Sequence, residues 1–197
     1  MLALAVLVGS LQYMTEDSVE GPPLDSDLCR LDADVAGTAT LLLDLRQPLD
    51  EVHLGAPRAL LRDMSVQIPA NAELRVFALT NDADAPRHFL GRMCKPYANA
   101  DLAVRTAKDQ NNSILDCDDL PAQLTDVLRQ ATTAFCARRE AITDRIDALV
   151  NQPETAPVAN ADLVEAIEDT LLDLAGRAAP HTIVIFSVSV FADEERL

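Results

Sequence analysis

Residues 38–45 read TATLLLDL, a short run of apolar and β-prone side chains that ends at the carboxylate of Asp44. Such a run is typical of a strand that is buried on both faces of a parallel sheet. In open α/β sheets the binding residues lie at the carboxyl ends of the strands. We therefore predict a buried strand at or near the centre of a sheet, and Asp44 is the first candidate site residue.

The chain after this strand alternates between helical and strand periodicity. Residues 48–68 have helical spacing, although Gly55 and Pro57 are expected to delay the first turn. Residues 72–80, AELRVFALT, predict a second strand. Residues 87–94, RHFLGRMC, predict a third strand, paired antiparallel with the second across a tight turn.

The second half of the chain contains two amphipathic segments, at 121–150 and 162–177, which predict helices. Residues 181–191, HTIVIFSVSVF, are apolar and rich in β-branched side chains, which is typical of a central strand covered on both faces. The whole order predicts an α/β fold with a mostly parallel sheet and helices on both faces. We expect 181–191 to pair beside 38–45, opposite 72–80.

The N-terminal part of the chain precedes this domain. Residues 1–14 carry no charged side chain, yet they are shorter than the ~20 residues that span a bilayer. They form part of a membrane anchor, a weak signal-anchor or a segment docked on the domain. The acidic linker at 15–34 favours the first two. We therefore expect a membrane-tethered domain at 35–197, in the periplasm or another extracytoplasmic space.

The charge of the chain restricts its partners. Asp and Glu number 32 against 16 Lys and Arg, for a net charge of -16, and such a surface repels phosphate backbones. Nucleic acid is therefore excluded as an expected partner, and another protein is predicted instead. The three His lie in separate elements, and the six Gly form no phosphate-binding loop. We predict no catalytic residue and no cofactor.

The four cysteines show no C-x-x-C spacing, so a zinc site is not expected. Their even number permits disulfides, while in a reducing compartment they would be small buried hydrophobic residues. If a pair forms, we expect Cys94 to bond to Cys117 or Cys136. Cys29, on the linker, is then the expected free thiol.

The element order, with Asp44 at the tip of the first strand, resembles the von Willebrand factor A domain over residues 38–191. The blocks TLLLDLRQPLDEV, ELRVFALTNDADAPRHFLGRMCKP, VEAIEDTLL and IVIFS are similar to an uncharacterised bacterial group of such domains. The resemblance implies a von Willebrand factor A-like or Rossmann-like sheet behind an N-terminal membrane helix. Because A domains continue with further helix–strand units, it also implies a chain truncated at its C-terminus.

The resemblance further implies a metal-ion-dependent adhesion site, with the motif Asp-x-Ser-x-Ser, a later Thr and a final Asp. Asp44 matches the first position, whereas Arg46, Pro48, Ala161 and Val188 stand at the other four. A Mg²⁺ ion needs near-octahedral oxygen ligands, and the guanidinium of Arg46 is a permanent competing cation. We therefore expect a non-functional metal site in which the Asp44 carboxylate contacts Arg46 or backbone amides.

These observations predict a non-enzymatic protein-interaction module that is tethered to a membrane. Exposed loops meet at the carboxyl edge of the sheet, so this edge is the predicted partner surface. Its residues are Asp44, Arg46, Gln47, Asn81, Asp82 and Asp84, with the loop at 155–161. The alternative is a small-molecule-binding or hydrolytic α/β enzyme that uses Asp44 with the acids Asp116, Asp118 and Asp119.

Overall fold

A computed structural model describes residues 23–82, 87–96, 117, 126–151, 163–175 and 179–188. Predictions that concern the N-terminal apolar segment, the loop at 155–161 and residues beyond 188 lie outside this part of the chain. The helices and strands are β1 (Gly37–Asp44), α1 (Ala56–Gln67), β2 (Ala72–Leu79), β3 (Arg87–Cys94), α2 (Asp126–Val150), α3 (Leu163–Leu174) and β4 (His181–Ser187).

The strands form one sheet in the order β3-β2-β1-β4. β1 pairs in parallel with β2 and with β4, and β2 pairs antiparallel with β3. All eight residues of β1 are buried, as its apolar sequence predicts for a central strand. The predicted strand order and the general α/β architecture are therefore confirmed.

Helices cover both faces of the sheet. On one face, side chains of α1 and α2 pack on alternate residues of β1 and β2 to form the larger core cluster. On the other face, α3 packs through Leu163, Ala166 and Ile167 against the second cluster. That cluster includes Leu42 of β1 and Phe77 of β2. Successive side chains of a strand point to opposite faces of the sheet, so the apolar side chains of β1 and β2 are divided between the two core clusters.

The first helix begins later than its periodicity suggests. Residues 51–55 form turns, and α1 starts at Ala56 with Pro57 in its first turn. Proline is tolerated there because the N–H it lacks has no partner inside the helix. The chain that leaves the carboxyl end of β1 thus passes through a turn before α1 begins.

Gly91 lets α2 approach β3 closely. A Cβ at Gly91 would lie 2.8 Å from Cγ1 of Ile142, and its φ of +156° is one that side-chain-bearing residues rarely adopt. The pairing of β2 with β3 also shifts between Val76 and Phe77, which leaves Leu90 as the extra residue of a β-bulge. The bulge and the glycine together allow α2 to pack closely on β3, the edge strand.

β4 contradicts the prediction of a strand that is covered on both faces. It lies at the edge of the described sheet, and Ile185 is 42% exposed. Val184 and Phe186 pack only partly against the main core. Apolar composition alone does not set burial, because burial depends on whether a neighbouring element covers the strand. Within the described ranges, no strand pairs with the outer side of β4.

The cysteine pairing also differs from the prediction. Cys29 bonds to Cys94, with 4.8 Å between their Cα atoms, and Cys117 bonds to Cys136, with 5.6 Å. Cys29 is therefore not a free thiol, and Cys94 bonds to neither of its two predicted partners. The reason is the turn at residues 23–30, which folds back so that Cys29 meets the end of β3.

An ionic cluster holds this turn in place. Arg92 of β3 and Arg138 of α2 both donate hydrogen bonds to the carboxylate of Asp27. Arg92 also lies 3.5 Å from the carboxylate of Glu73, and the backbone N–H of Cys94 donates to the carbonyl of Asp27. The disulfide, the ion pairs and this backbone hydrogen bond together attach a segment of the predicted linker beside the amino-terminal end of β2.

Candidate functional site

The candidate site lies at the carboxyl edge of the sheet, where β1 and β4 end side by side. Asp44 pairs in register with Ser187, and its side chain projects between that serine and Arg46. Arg46 donates from Nε to Oδ1 at 2.8 Å and from Nη2 to Oδ2 at 2.9 Å. The hydroxyl of Ser187 donates to Oδ2 at 2.9 Å. Both oxygens of this carboxylate, which is 4% exposed, therefore accept strong hydrogen bonds.

The protonation of Asp44 follows from these contacts. Burial of the carboxyl would by itself raise its pKa, but the hydrogen bonds from Arg46 and Ser187 outweigh burial. The pKa of Asp44 consequently lies below its ordinary value of 3.8. The side chain is an anion at neutral pH, and the guanidinium of Arg46 neutralises it.

A second layer of hydrogen bonds holds the loop after β1. The side-chain amide of Asn81 donates to the carbonyl of Arg46 at 2.6 Å. The backbone N–H of Asp82 donates to the hydroxyl of Thr80 at 3.3 Å, and that hydroxyl lies 3.0 Å from Nε2 of His88. Asn81 and Asp82, predicted as partner-surface residues, are thus brought to the same edge as Arg46.

Of the other predicted positions of the metal motif, Pro48 and Val188 lie in the described part of the chain, and neither side chain carries an oxygen ligand. Pro48 is exposed, Val188 is half-buried, and Ala161 lies outside the described residues, as do Asp84 and the acids Asp116, Asp118 and Asp119. The described residues contain no group of three or more His, Cys, Asp or Glu that could hold a metal ion. A cation at Asp44 would have to displace the Arg46 guanidinium from both oxygens of the carboxylate.

The turn before α1 presents apolar side chains that the sequence analysis missed. Val52 is 84% exposed and Leu54 is 43% exposed, although both lie within the range 48–68 for which the sequence predicted helical spacing. Asp50 accepts hydrogen bonds from the backbone N–H of His53 at 2.9 Å and lies 2.5 Å from its Nδ1. The sequence did contain a signal for this turn, because an Asp at position 50 is followed by His53 and Gly55 at turn-like spacing.

A separate cleft lies at the amino edge of the sheet, away from Asp44. It has a volume of about 360 Å³ and runs between the C-terminal end of α1 and the start of β4. Met64, Ile68 and Val184 contribute to its mostly apolar lining, and none of the described lining residues has an ionisable side chain.

Lys95 lies near this amino edge and is 2% exposed. Its ammonium donates to the carbonyls of Val66 and Ile68 at the C-terminal end of α1, at 2.5 and 3.0 Å. These are carbonyls at the end of a helix, where a cation is favourable. Burial lowers the pKa of Lys95 to about 8. The side chain therefore caps a helix rather than lining a site.

Comparison with protein-family models, curated proteins and solved structures found no match for this chain. The helices in the described part of the chain include none that is both long and apolar enough to span a bilayer. The arrangement at the carboxyl edge is therefore interpreted from its own chemistry. It contains a neutralised carboxylate–guanidinium pair, a hydrogen-bonded loop and an exposed apolar turn.

Proposed function

We propose that this chain is a non-enzymatic protein-interaction module, tethered to a membrane by its N-terminal segment. In this proposal the domain is von Willebrand factor A-like and its adhesion site no longer uses a metal. The observation that carries the proposal is the contact of Arg46 with both oxygens of Asp44. A guanidinium occupies the position from which the carboxylate would otherwise bind a cation.

The partner would then be bound through side chains instead of a bridging ion. Val52 and Leu54 are exposed apolar side chains on the same edge as Arg46, and apolar anchors of this kind contribute most to protein interfaces. Asp50 and Glu51 flank them with negative charge, in a chain of net charge -16. A partner with an apolar pocket and a basic rim is the chemistry that fits this surface.

The proposed location outside the cytoplasm is supported by the cysteines. All four form disulfides, which persist in oxidising compartments and are rare in the cytosol. The tether itself is tested by fractionation of cells that express the full chain or a version without residues 1–14. We expect the full chain in the membrane fraction and the shortened chain in the soluble extracytoplasmic fraction. Equal distribution of the two would contradict the tether.

The interaction surface is tested by photocrosslinking in the native host. A photoreactive amino acid at Val52 or Leu54 should yield one discrete adduct of higher mass. The matched control is the same amino acid at Leu31, which is 68% exposed and lies on the segment before β1 rather than on the turn at the carboxyl edge. Adducts of equal yield at Leu31, or none at the turn, would contradict the proposed surface.

Metal independence is tested with Mg²⁺ and Mn²⁺ in a thermal unfolding assay. An ion that does not bind the native state cannot stabilise it by mass action, so the melting temperature should not change. A rise in melting temperature that Asp44→Ala abolishes would revive metal-dependent adhesion and contradict the proposal.

A further inference from the structure

Among the residues that the structure describes, β4 is an edge strand without the usual protection against pairing. It contains no acidic residue, lysine, arginine or proline between His181 and Ser187. Natural edge strands are normally blocked by charges, prolines, bulges or a covering segment. An unprotected apolar edge is a template for another strand.

The opposite edge of the same sheet has these protections. β3 carries Arg87 and Arg92 and contains the β-bulge at Leu90. The turn at residues 23–30 covers its end, where the N–H of Cys94 donates to the carbonyl of Asp27 at 2.8 Å. The contrast between the two edges indicates that β4 is adapted to pair.

The hydrogen-bonding groups of β4 can be assigned from its pairing with β1. The N–H of Thr38 donates to the carbonyl of Pro180 at 2.9 Å. The backbone carbonyl of Pro180 therefore points towards β1. Inward and outward residues alternate along a strand. Val184 therefore bonds towards β1, while Ile183 and Ile185 direct their backbone groups outward. No described strand pairs with this outer side, so the outward groups of both isoleucines can bond to an antiparallel partner.

We propose that a second copy of this chain pairs with β4, antiparallel and around a twofold axis at Val184. In this register Ile183 of one copy faces Ile185 of the other, and each pair exchanges two backbone hydrogen bonds. Every facing pair between Thr182 and Phe186 is uncharged. In a chain of net charge -16, this uncharged strand is a surface through which two copies can meet without opposing carboxylates.

The flank of β4 adds apolar area to the same interface. Leu171 of α3 is 52% exposed, and with Ala175 it lines an open cleft beside Ile183. When two β4 strands pair, the two α3 helices approach each other across the twofold axis. Leu171 and its copy would then lose contact with water, which favours association.

The dimer is tested by sedimentation velocity of the full chain from micromolar to submillimolar concentration. The wild type should form dimers, and raising NaCl from about 0.05 to 0.5 M should strengthen them by screening the repulsion between two acidic copies. Ile185→Pro removes an outward N–H, and Ile185→Lys places a charge in the interface. Each variant should raise the dimer dissociation constant about tenfold or more.

Phe89→Lys is the matched control, since Phe89 is an apolar side chain on the other edge strand and is 51% exposed. It should leave the dimer unchanged. If the Ile185 variants do not fold, Leu171→Lys on the exposed surface of α3 replaces them, and it should also raise the dimer dissociation constant. A monomeric wild type at every concentration, or Ile185 and Leu171 variants that dimerise like the wild type, would overturn the proposal. A monomer in which the Ile185 amide resists hydrogen exchange would show that a segment of the same chain covers the edge.

Discussion

Asp44 shows how one buried side chain connects the sheet to the candidate site. Its carboxylate joins the loop after β1, through Arg46, to the end of β4, through Ser187. The substituted metal motif predicted that Asp44 contacts Arg46 or backbone amides, whereas its contact with Ser187 joins residues that are 143 positions apart. A single carboxylate thus ties two parallel strands and a loop together at their carboxyl ends.

Replacement of Asp44 by Ala should lower the free energy of unfolding by ~1–3 kcal/mol, because Arg46 and Ser187 lose a buried acceptor. The measurement is urea unfolding at neutral pH. Asp32→Ala is the matched control, since Asp32 forms the same two-bond pair with Arg30 two residues away but in an exposed position. That control should leave stability nearly unchanged. Equal losses of unfolding free energy in the two variants would contradict the claim that burial makes the Asp44 pair stabilising.

The pH dependence of Asp44 has a definite sign. Its pKa is lowered on folding, so its contribution is present above the ordinary value of 3.8 and is lost as the pH falls below that value. The difference in stability between wild type and Asp44→Asn should therefore shrink on acidification. Unfolding titrations of both proteins across this pH range provide the test, and a constant difference would argue against it.

Lys95 should produce a second rise of stability with pH, this time in alkaline solution. Its pKa is lowered to about 8 by burial, so the unfolded state binds more protons between that pH and 10.5. Stability should rise with pH across this window by as much as about 3 kcal/mol relative to Lys95→Met, which cannot titrate. Urea unfolding of both proteins at several pH values measures the difference, and parallel curves would contradict the assignment.

At the scale of secondary-structure elements, the contact of α2 with β3 depends on one residue without a side chain. Ile142 of α2 occupies the space above Gly91, and Arg145 donates to the carbonyl of Leu90 at 2.5 Å. The bulge at Leu90 brings that carbonyl to the helix. The longest helix is therefore aligned on the sheet by a local irregularity of an edge strand.

Gly91→Ala should destabilise the protein by ~1–3 kcal/mol, because the added Cβ meets Ile142 and the backbone is strained at this φ. Ile142→Ala removes the clash but leaves the strain, so the double variant should lose less than the sum of the two single losses. Thermal unfolding of the three variants measures this coupling. Strict additivity would show that the two residues do not compete for the same space.

At the scale of the whole molecule, two disulfides join residues that lie far apart in the sequence. One joins residues 65 positions apart and attaches the turn at 23–30 to β3, and the other joins residues 19 positions apart and attaches Cys117 to α2. The ionic cluster around Asp27 lies next to the first of them. The turn at 23–30 is thereby fixed at the carboxyl end of β3, beside the start of β2, while the carboxyl edge of the sheet keeps its exposed turn.

Replacement of Cys29 and Cys94 together by Ser should lower the free energy of unfolding by about 4 kcal/mol in the loop-entropy model. The pair Cys117 and Cys136 closes a shorter loop and should contribute about 3 kcal/mol. Chemical unfolding with and without dithiothreitol measures both effects. A variant that lacks all four cysteines is the control, since the reductant should not change its stability. Unchanged wild-type stability under reduction would contradict the structural role.

Much of the fold was predictable because periods of two and of 3.6 residues are local properties of the chain. The apolar run before Asp44 marked the central strand, and the alternation of helices and strands set the parallel order of β2, β1 and β4. A contact of Asp44 with Arg46 was predictable for the same reason, since Arg46 lies only two positions after Asp44. Local patterns of this kind need no knowledge of the rest of the molecule.

The remaining features depend on which distant segments meet, and the tertiary structure alone decided them. The disulfide of Cys29 with Cys94, the exposure of Val52 and the edge position of Ile185 all follow from neighbours that are remote in sequence. An apolar side chain is buried only when another element covers it, and a cysteine pairs only when its partner lies within bonding distance. The apolar composition of β4 showed what this strand could bury, and the arrangement of the described elements places it at the edge of the sheet.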